Sequence, residues 1–184
     1  MEEVLHLFIT NNCRHNCKLC CNKFYKIDEI PVVTVELLKS VQTVCLTGGE
    51  PFSVPNEILK NFIIELRSQY ENIKKLYMYT SGMEFGKYGW KYQICIDCNY
   101  INGINVAPKD WLDWQWFADT IKDWNALYPN KNSNRLYVFK DQRPIFDAMG
   151  LDLKDANIQV IDRTWDCKFN TPPNEHFARL PILF

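Results

Sequence analysis

Residues 4–20 read Val4-Leu5-His6-Leu7-Phe8-Ile9-Thr10-Asn11-Asn12-Cys13-Arg14-His15-Asn16-Cys17-Lys18-Leu19-Cys20. An apolar run of strand length gives way to a polar loop in which cysteines recur as C-x3-C-x2-C. The run predicts a buried first strand over 4–10. In open α/β sheets ligands collect beyond the carboxyl ends of strands, which is where this loop begins. A second segment of the same kind follows, Cys45-Leu46-Thr47-Gly48-Gly49-Glu50-Pro51. It too is an apolar strand end followed by a turn. Cysteine spacing alone leaves zinc and iron–sulfur equally open. Most [4Fe–4S] clusters take four thiolates, so a loop that supplies three leaves one iron without a protein ligand. An open coordination position separates a reactive metal site from a closed, structural one.

Outward from these segments the chain alternates strand and helix. Thr34 is a candidate cap for a short helix over 35–41. Residues 42–46 predict a second strand that ends at Gly48-Gly49. Pro55 opens a helix over 56–70, with Ile58, Leu59, Phe62, Ile63 and Leu66 on one predicted buried face. Residues 73–80 predict a third strand, stopped by Ser81-Gly82. Strand, helix, strand, helix, strand is the pattern of a parallel sheet with crossovers. Residues 83–91 show no helical pattern. Residues 92–98 and 101–107 read as two strands forming a hairpin about Asn99-Tyr100. Asp110 is a candidate N-cap for a helix whose stripe is Trp111, Trp114, Phe117, Ala118, Ile121 and Trp124. Residues 135–140 and 157–162 predict the last strands, with a short helix near 144–150 between them. The tail from Thr171 is proline-rich and predicted irregular.

The chain has 184 residues, 47% of them hydrophobic and 14% aromatic, enough for one domain over 1–184 with a sizeable core. With 21 Lys+Arg against 22 Asp+Glu, the net charge of -1 gives no electrostatic case for nucleic acid or a membrane surface. Residues 1–10 lack a basic leader region, and no apolar run is long enough to span a bilayer. The expected compartment is cytoplasmic, where clustered cysteines more often hold metal than form disulfides.

Together, Cys13, Cys17, Cys20 and the Gly48-Gly49-Glu50-Pro51 turn resemble the radical S-adenosylmethionine (radical SAM) enzymes. The first element is similar to that family's cluster loop and the second to its GGE motif. The resemblance implies a trimmed partial (β/α)6 barrel, an open relative of the TIM barrel, with one crossover reduced to a loop around 82–92. It implies that the cysteines ligate a [4Fe–4S] cluster whose open iron chelates SAM. Reductive cleavage of SAM then gives a 5′-deoxyadenosyl radical that takes hydrogen from a substrate. It also implies that Gly48, Gly49, Glu50 and Pro51 meet the ammonium of SAM, the glycines by allowing close backbone approach. Leu19 stands where the family usually has an aromatic residue near the adenine, and offers less stacking. Thr80 and Ser81 correspond to hydroxyl positions near the methionine moiety or ribose, although Ser-Gly is also an ordinary turn. Asp97, Asn99 and Asn105 are candidates for the ribose hydroxyls, with a hairpin turn as the plainer alternative.

Several features stay open on this reading. Cys21 permits a 13-17-21 set, but the 13-17-20 spacing matches the family and leaves Cys21 a spare thiol. Cys95, Cys98 and Cys167 suit an auxiliary metal less well than simple burial, and Cys45 suits the core. Trp90 and Trp116 fall off any stripe. His6, His15 and His176 show no ligand spacing. The frame leaves little room for a covering domain, so the expected substrate is a small molecule or nucleotide-like compound. The alternatives are a partner protein that receives a glycyl radical, a peptide substrate or, in another class, a zinc module without catalysis. The activase alternative is weakened by Glu50, where activases usually have Asp. A reductant such as flavodoxin or ferredoxin is implied.

Overall fold

Val4–Thr10 forms β1, with Leu5, Leu7 and Ile9 fully buried, as its apolar run predicts. The computed structural model describes residues 2–15, 17, 20, 22, 26–83, 101–121, 133–164 and 171–184. Thr34 caps α1 (Val35–Ser40) by accepting from the Leu37 N–H at 3.2 Å. Next come β2 (Thr43–Gly48), a 3-10 turn (Pro51–Ser53), α2 (Asn56–Gln69) and β3 (Lys75–Thr80). Then follow β4 (Gly103–Val106), α3 (Trp111–Ile121), β5 (Asn134–Phe139), α4 (Arg143–Met149), β6 (Ile158–Arg163) and β7 (Glu175–Arg179). The strands lie in the order β6-β5-β4-β3-β2-β1-β7, in an open, parallel α/β sheet. Parallel neighbours require crossover connections, and among the described residues α1, α2, α3 and α4 each lie in one.

The chain divides into two units, Met1–Met78 with Asp166–Phe184, and Tyr79–Trp165. In the first, register places Leu5 beside Val44 and Leu7 beside Leu46, and Leu76 and Met78 continue the two rows. All six side chains are fully buried. Each such burial contributes about 1.5–3 kcal/mol. Alternation sends His6, Cys45, Tyr77 and Phe177 to the opposite face. Cys45 is buried there, as expected for a core thiol.

In the second unit Asn134 ties three strand starts together. Its Oδ1 accepts from the Ile104 N–H at 3.0 Å, and its Nδ2 donates to the Asn157 carbonyl at 3.1 Å. Asp110 caps α3 as predicted, accepting from the Asp113 N–H at 3.0 Å. Asp113 in turn accepts from the Lys109 N–H at 2.8 Å, which ties the first turn of α3 to the residue before its cap. On α4, Arg143 bonds Asp162 of β6 at 2.8 Å. Register places Asp162 beside Val138, so α4 covers the face that carries Leu136 and Val138.

Four expectations are corrected. Ile58 is 45% exposed, because the buried side of α2 is the narrower stripe Leu59, Ile63 and Leu66. Trp111 is 55% exposed; α3 buries Asp113, Trp114 and Phe117, and the Trp114 Nε1 donates to Gln142 at 3.1 Å. β4 runs between β3 and β5, so both its edges are taken and it does not serve the expected hairpin. The tail is not irregular throughout, since β7 pairs parallel with β1 from Val4↔Glu175 to Phe8↔Arg179. Two His–carboxylate contacts reinforce that pairing, His6 to Glu175 at 3.0 Å and His176 to Glu3 at 2.8 Å. Burial lowers the pKa of His6, against the pull of Glu175. The expected loop at 82–92, the strand at 92–98, Trp90 and Trp124 lie outside the described residues, apart from Gly82 and Met83.

If β7 is part of the sheet, a chain ending at residue 170 loses the whole β1 edge pairing. Its melting temperature should fall by about 10 °C or more, the equivalent of several kcal/mol. A thermal melt unchanged by the truncation would contradict this pairing.

Candidate metal and cofactor site

The cysteine loop leaves the sheet at Thr10, which is fully buried. The Thr10 hydroxyl accepts from the Asn12 N–H at 3.0 Å and donates to the Phe184 carbonyl at 2.7 Å. The turn after β2 clamps onto the same backbone. The Gly49 N–H donates to the Thr10 carbonyl and the Glu50 N–H to the Asn12 carbonyl, both at 2.7 Å. The Ser53 hydroxyl donates to the Asn12 carbonyl at 3.3 Å. Only glycine permits this approach. A Cβ on Gly48 would stand 2.3 Å from the Thr10 oxygen, and one on Gly49 would stand 2.2 Å from the Asn12 oxygen. Gly48 also has φ +121°, which side chains of L-residues rarely adopt. The close approach that the sequence suggested is therefore made first to the chain's own cysteine loop.

That clamp brings Glu50 to the thiols. Glu50 is 2% exposed, and its Oε1 accepts from the Phe52 N–H at 3.2 Å, which fixes the carboxylate's direction. Pro51 is buried at the start of the turn that follows. Cys13, Cys17 and Cys20 are half-buried thiols in no disulfide. Burial is the main reason that the Cys13 thiol is pushed up to about 11. A hydrogen bond from the His15 backbone opposes the rise, while the charges of Glu50, Cys17 and Cys20 add to it. Glu50, Cys17 and Cys20 thus all lie near enough to Cys13 for their charges to act on it. Three sulfur donors gathered on one loop fit an iron–sulfur cluster with an open corner. Loading it would displace a proton from each thiol.

The other predicted residues fall elsewhere. Thr80 and Ser81 are buried at the end of β3, and their hydroxyls accept from the Gly82 and Met83 N–H groups at 3.0 and 3.2 Å. This is the turn geometry that Ser-Gly suggested. Asn105 is fully buried on β4, and among the described residues neither its Oδ1 nor its Nδ2 has a hydrogen-bond partner. Leu19, Cys21, Asp97, Asn99, Cys95, Cys98 and Cys167 lie outside the described residues. Sequence reasoning missed Thr10 and Asn12. Their signal was slight: a polar residue closing an apolar strand, then a turn former.

No family model matches the sequence, and no curated protein matches it. In three dimensions the chain is similar to native anSMEcpe with bound AdoMet (SAM) and Cp18Cys peptide. The two share 14% sequence identity at a TM-score of 0.50, over 86% of this chain and 51% of that one. This chain spans about half the length of that protein. The chain has the radical SAM fold. Within that fold, the C-x3-C-x2-C loop follows β1 and the Gly-Gly-Glu turn follows β2. Backbone hydrogen bonds hold the Gly-Gly-Glu turn to the residues that lead into the cysteine loop.

Gly49→Ala should destabilise the protein by about 1–3 kcal/mol, because the added methyl meets backbone that cannot move aside cheaply. Denaturant unfolding measures this, and a neutral result would contradict the clamp. Asn105→Leu should do the reverse and raise stability by about 1–3 kcal/mol, since it removes a buried amide with unmet hydrogen bonds. A lower melting temperature for that variant would show that the amide is satisfied.

Proposed function

We propose that this chain is a radical SAM enzyme in which Cys13, Cys17 and Cys20 hold a [4Fe–4S] cluster and the Gly48–Pro51 turn receives SAM. The observation that carries the reading is the docking of the Gly-Gly-Glu turn, with its buried carboxylate, onto the strand end that leads into the three thiols, on a chain with the radical SAM fold. When bound, the cluster supplies the electron that cleaves SAM to methionine and a 5′-deoxyadenosyl radical. The protein's own part is to bind and orient. Glu50 offers a negative charge suited to the SAM ammonium, with the strength of a charge-assisted hydrogen bond. The Gly49 and Glu50 N–H groups are already spent on the cysteine loop. The polarity left to the turn is that of carbonyl and carboxylate acceptors, which matches an ammonium.

The substrate we favour is a small molecule or nucleotide-like compound, with a flavodoxin or ferredoxin as reductant. A peptide is the second reading, favoured by the peptide bound in the structurally similar protein. Leu19, Thr80, Ser81, Asp97 and Asn99 remain candidates for contact with SAM. Among the described residues no helix is long and apolar enough to cross a membrane, and the cytoplasmic placement belongs to this proposal.

Oxygen-free reconstitution with iron and sulfide should give a brown protein whose visible absorbance bleaches with dithionite. Reduced protein should then convert SAM to 5′-deoxyadenosine, and Cys17→Ala should abolish both colour and product. A colourless protein that retains zinc, or a well-loaded cluster that forms no 5′-deoxyadenosine, would overturn the assignment.

A further inference from the structure

Arg179 closes β7, beside Phe8 of β1. Phe8 lies two residues, roughly 7 Å of strand, before Thr10 and the start of the cysteine loop. Its main chain is fixed on the other side, where the Arg179 N–H donates to the Pro31 carbonyl at 2.9 Å and the Arg179 carbonyl accepts from the Val33 N–H at 2.8 Å. Alternation turns Ala178 to the aliphatic face beside Leu7, and Arg179 to the face that carries Phe8 and Phe177. Those two rings sit 6.3 Å apart, tilted by 52°.

The guanidinium is only partly served. Nη1 donates to the Leu180 carbonyl at 3.2 Å, while Nε is buried with no hydrogen-bond partner. Among the described residues no carboxylate pairs with it. Glu175, which shares its face of the strand, is engaged by His6 at 3.0 Å. A buried cationic donor left unmet is costly, and natural proteins pair such groups. The engaged Nη1 leaves the Nε–Nη2 edge, and that edge is the one that receives a carboxylate with two parallel hydrogen bonds.

We propose that Arg179 binds a carboxylate carried by the substrate, on the face of the sheet that carries Phe8 and Phe177. The inference takes the ligand to be the substrate of the proposed radical SAM activity and rests on that reading. It names a residue and a ligand class that the cysteine loop and the Gly-Gly-Glu turn do not.

Benzoate is the probe, since it combines a carboxylate with a flat apolar body, and benzamide is its neutral match. Ligand-observed NMR on the full chain needs neither reductant nor SAM cleavage, so this result stands apart from the outcome of the 5′-deoxyadenosine assay. Benzoate should bind the wild-type protein, and benzamide at least about tenfold more weakly, as expected for loss of a charge-assisted pair. Arg179→Met should lose the preference for benzoate. Arg179→Lys, which keeps the charge and removes the planar fork, should lose most of it. SAM affinity should be the same in all three proteins. Equal binding of benzoate to wild type and Arg179→Met would overturn the proposal. So would full retention in Arg179→Lys, which would remove the fork from the argument. A matching loss of SAM affinity in Arg179→Met would assign the arginine to SAM instead, and overturn it too.

Discussion

The site depends on one backbone contact, the docking of Gly48-Gly49-Glu50 onto Thr10–Asn12 at hydrogen-bond distance. Two turns that follow neighbouring parallel strands already emerge at the same end of the sheet. Adjacency alone would leave them at side-chain distance. Glycine at both positions removes that layer and lets carbonyl meet N–H directly. The Gly-Gly-Glu turn and the start of the cysteine loop are thereby tied backbone to backbone. The crowding that follows is visible in the chemistry of Cys13, whose thiol resists ionisation because it is buried and has acidic neighbours. A metal cluster held there would supply positive charge that favours the thiolate form.

Much of this was legible because the chemistry restricts the residue types. Three thiols at close spacing on one loop announce a metal site, and the Gly-Gly pair announces a close approach even before its target is known. The strands β1, β2 and β3 were legible for a different reason. Each carries aliphatic residues that fill a row, and Leu5, Leu7, Val44, Leu46, Leu76 and Met78 form an unbroken buried surface. The target of the glycines was hidden, because a sequence shows the need for proximity but not the partner.

The strand β7 was hidden for a more general reason. Its sequence, Glu175-His176-Phe177-Ala178-Arg179, places one small residue on the aliphatic face and charged groups on both. Its stabilisation comes from β1, through backbone pairing and the Glu3 and His6 contacts, which lie at the far end of the chain. A window slid along the tail meets Pro172-Pro173 and then no periodicity. The exposed Ile58 and Trp111 misled in the opposite direction. Helical spacing identifies which residues share a face but not how wide a stripe the neighbouring layer can cover.

The two faces of the sheet divide the labour, and each unit shows it separately. In the first unit Arg179 is on the face that carries His6, Phe8 and Phe177, opposite the leucine rows. In the second, register puts Asn105 beside Arg135, on the face away from α4. Each of these faces carries a buried polar group whose hydrogen bonds are unmet, Nε of Arg179 in one and the amide of Asn105 in the other. An aliphatic residue at Asn105 would spare the fold a cost of about 1–3 kcal/mol. Violations of local rules in an otherwise consistent structure concentrate where a protein works. The faces that carry these unmet groups are aromatic and polar, which suits the ligand binding proposed for this chain.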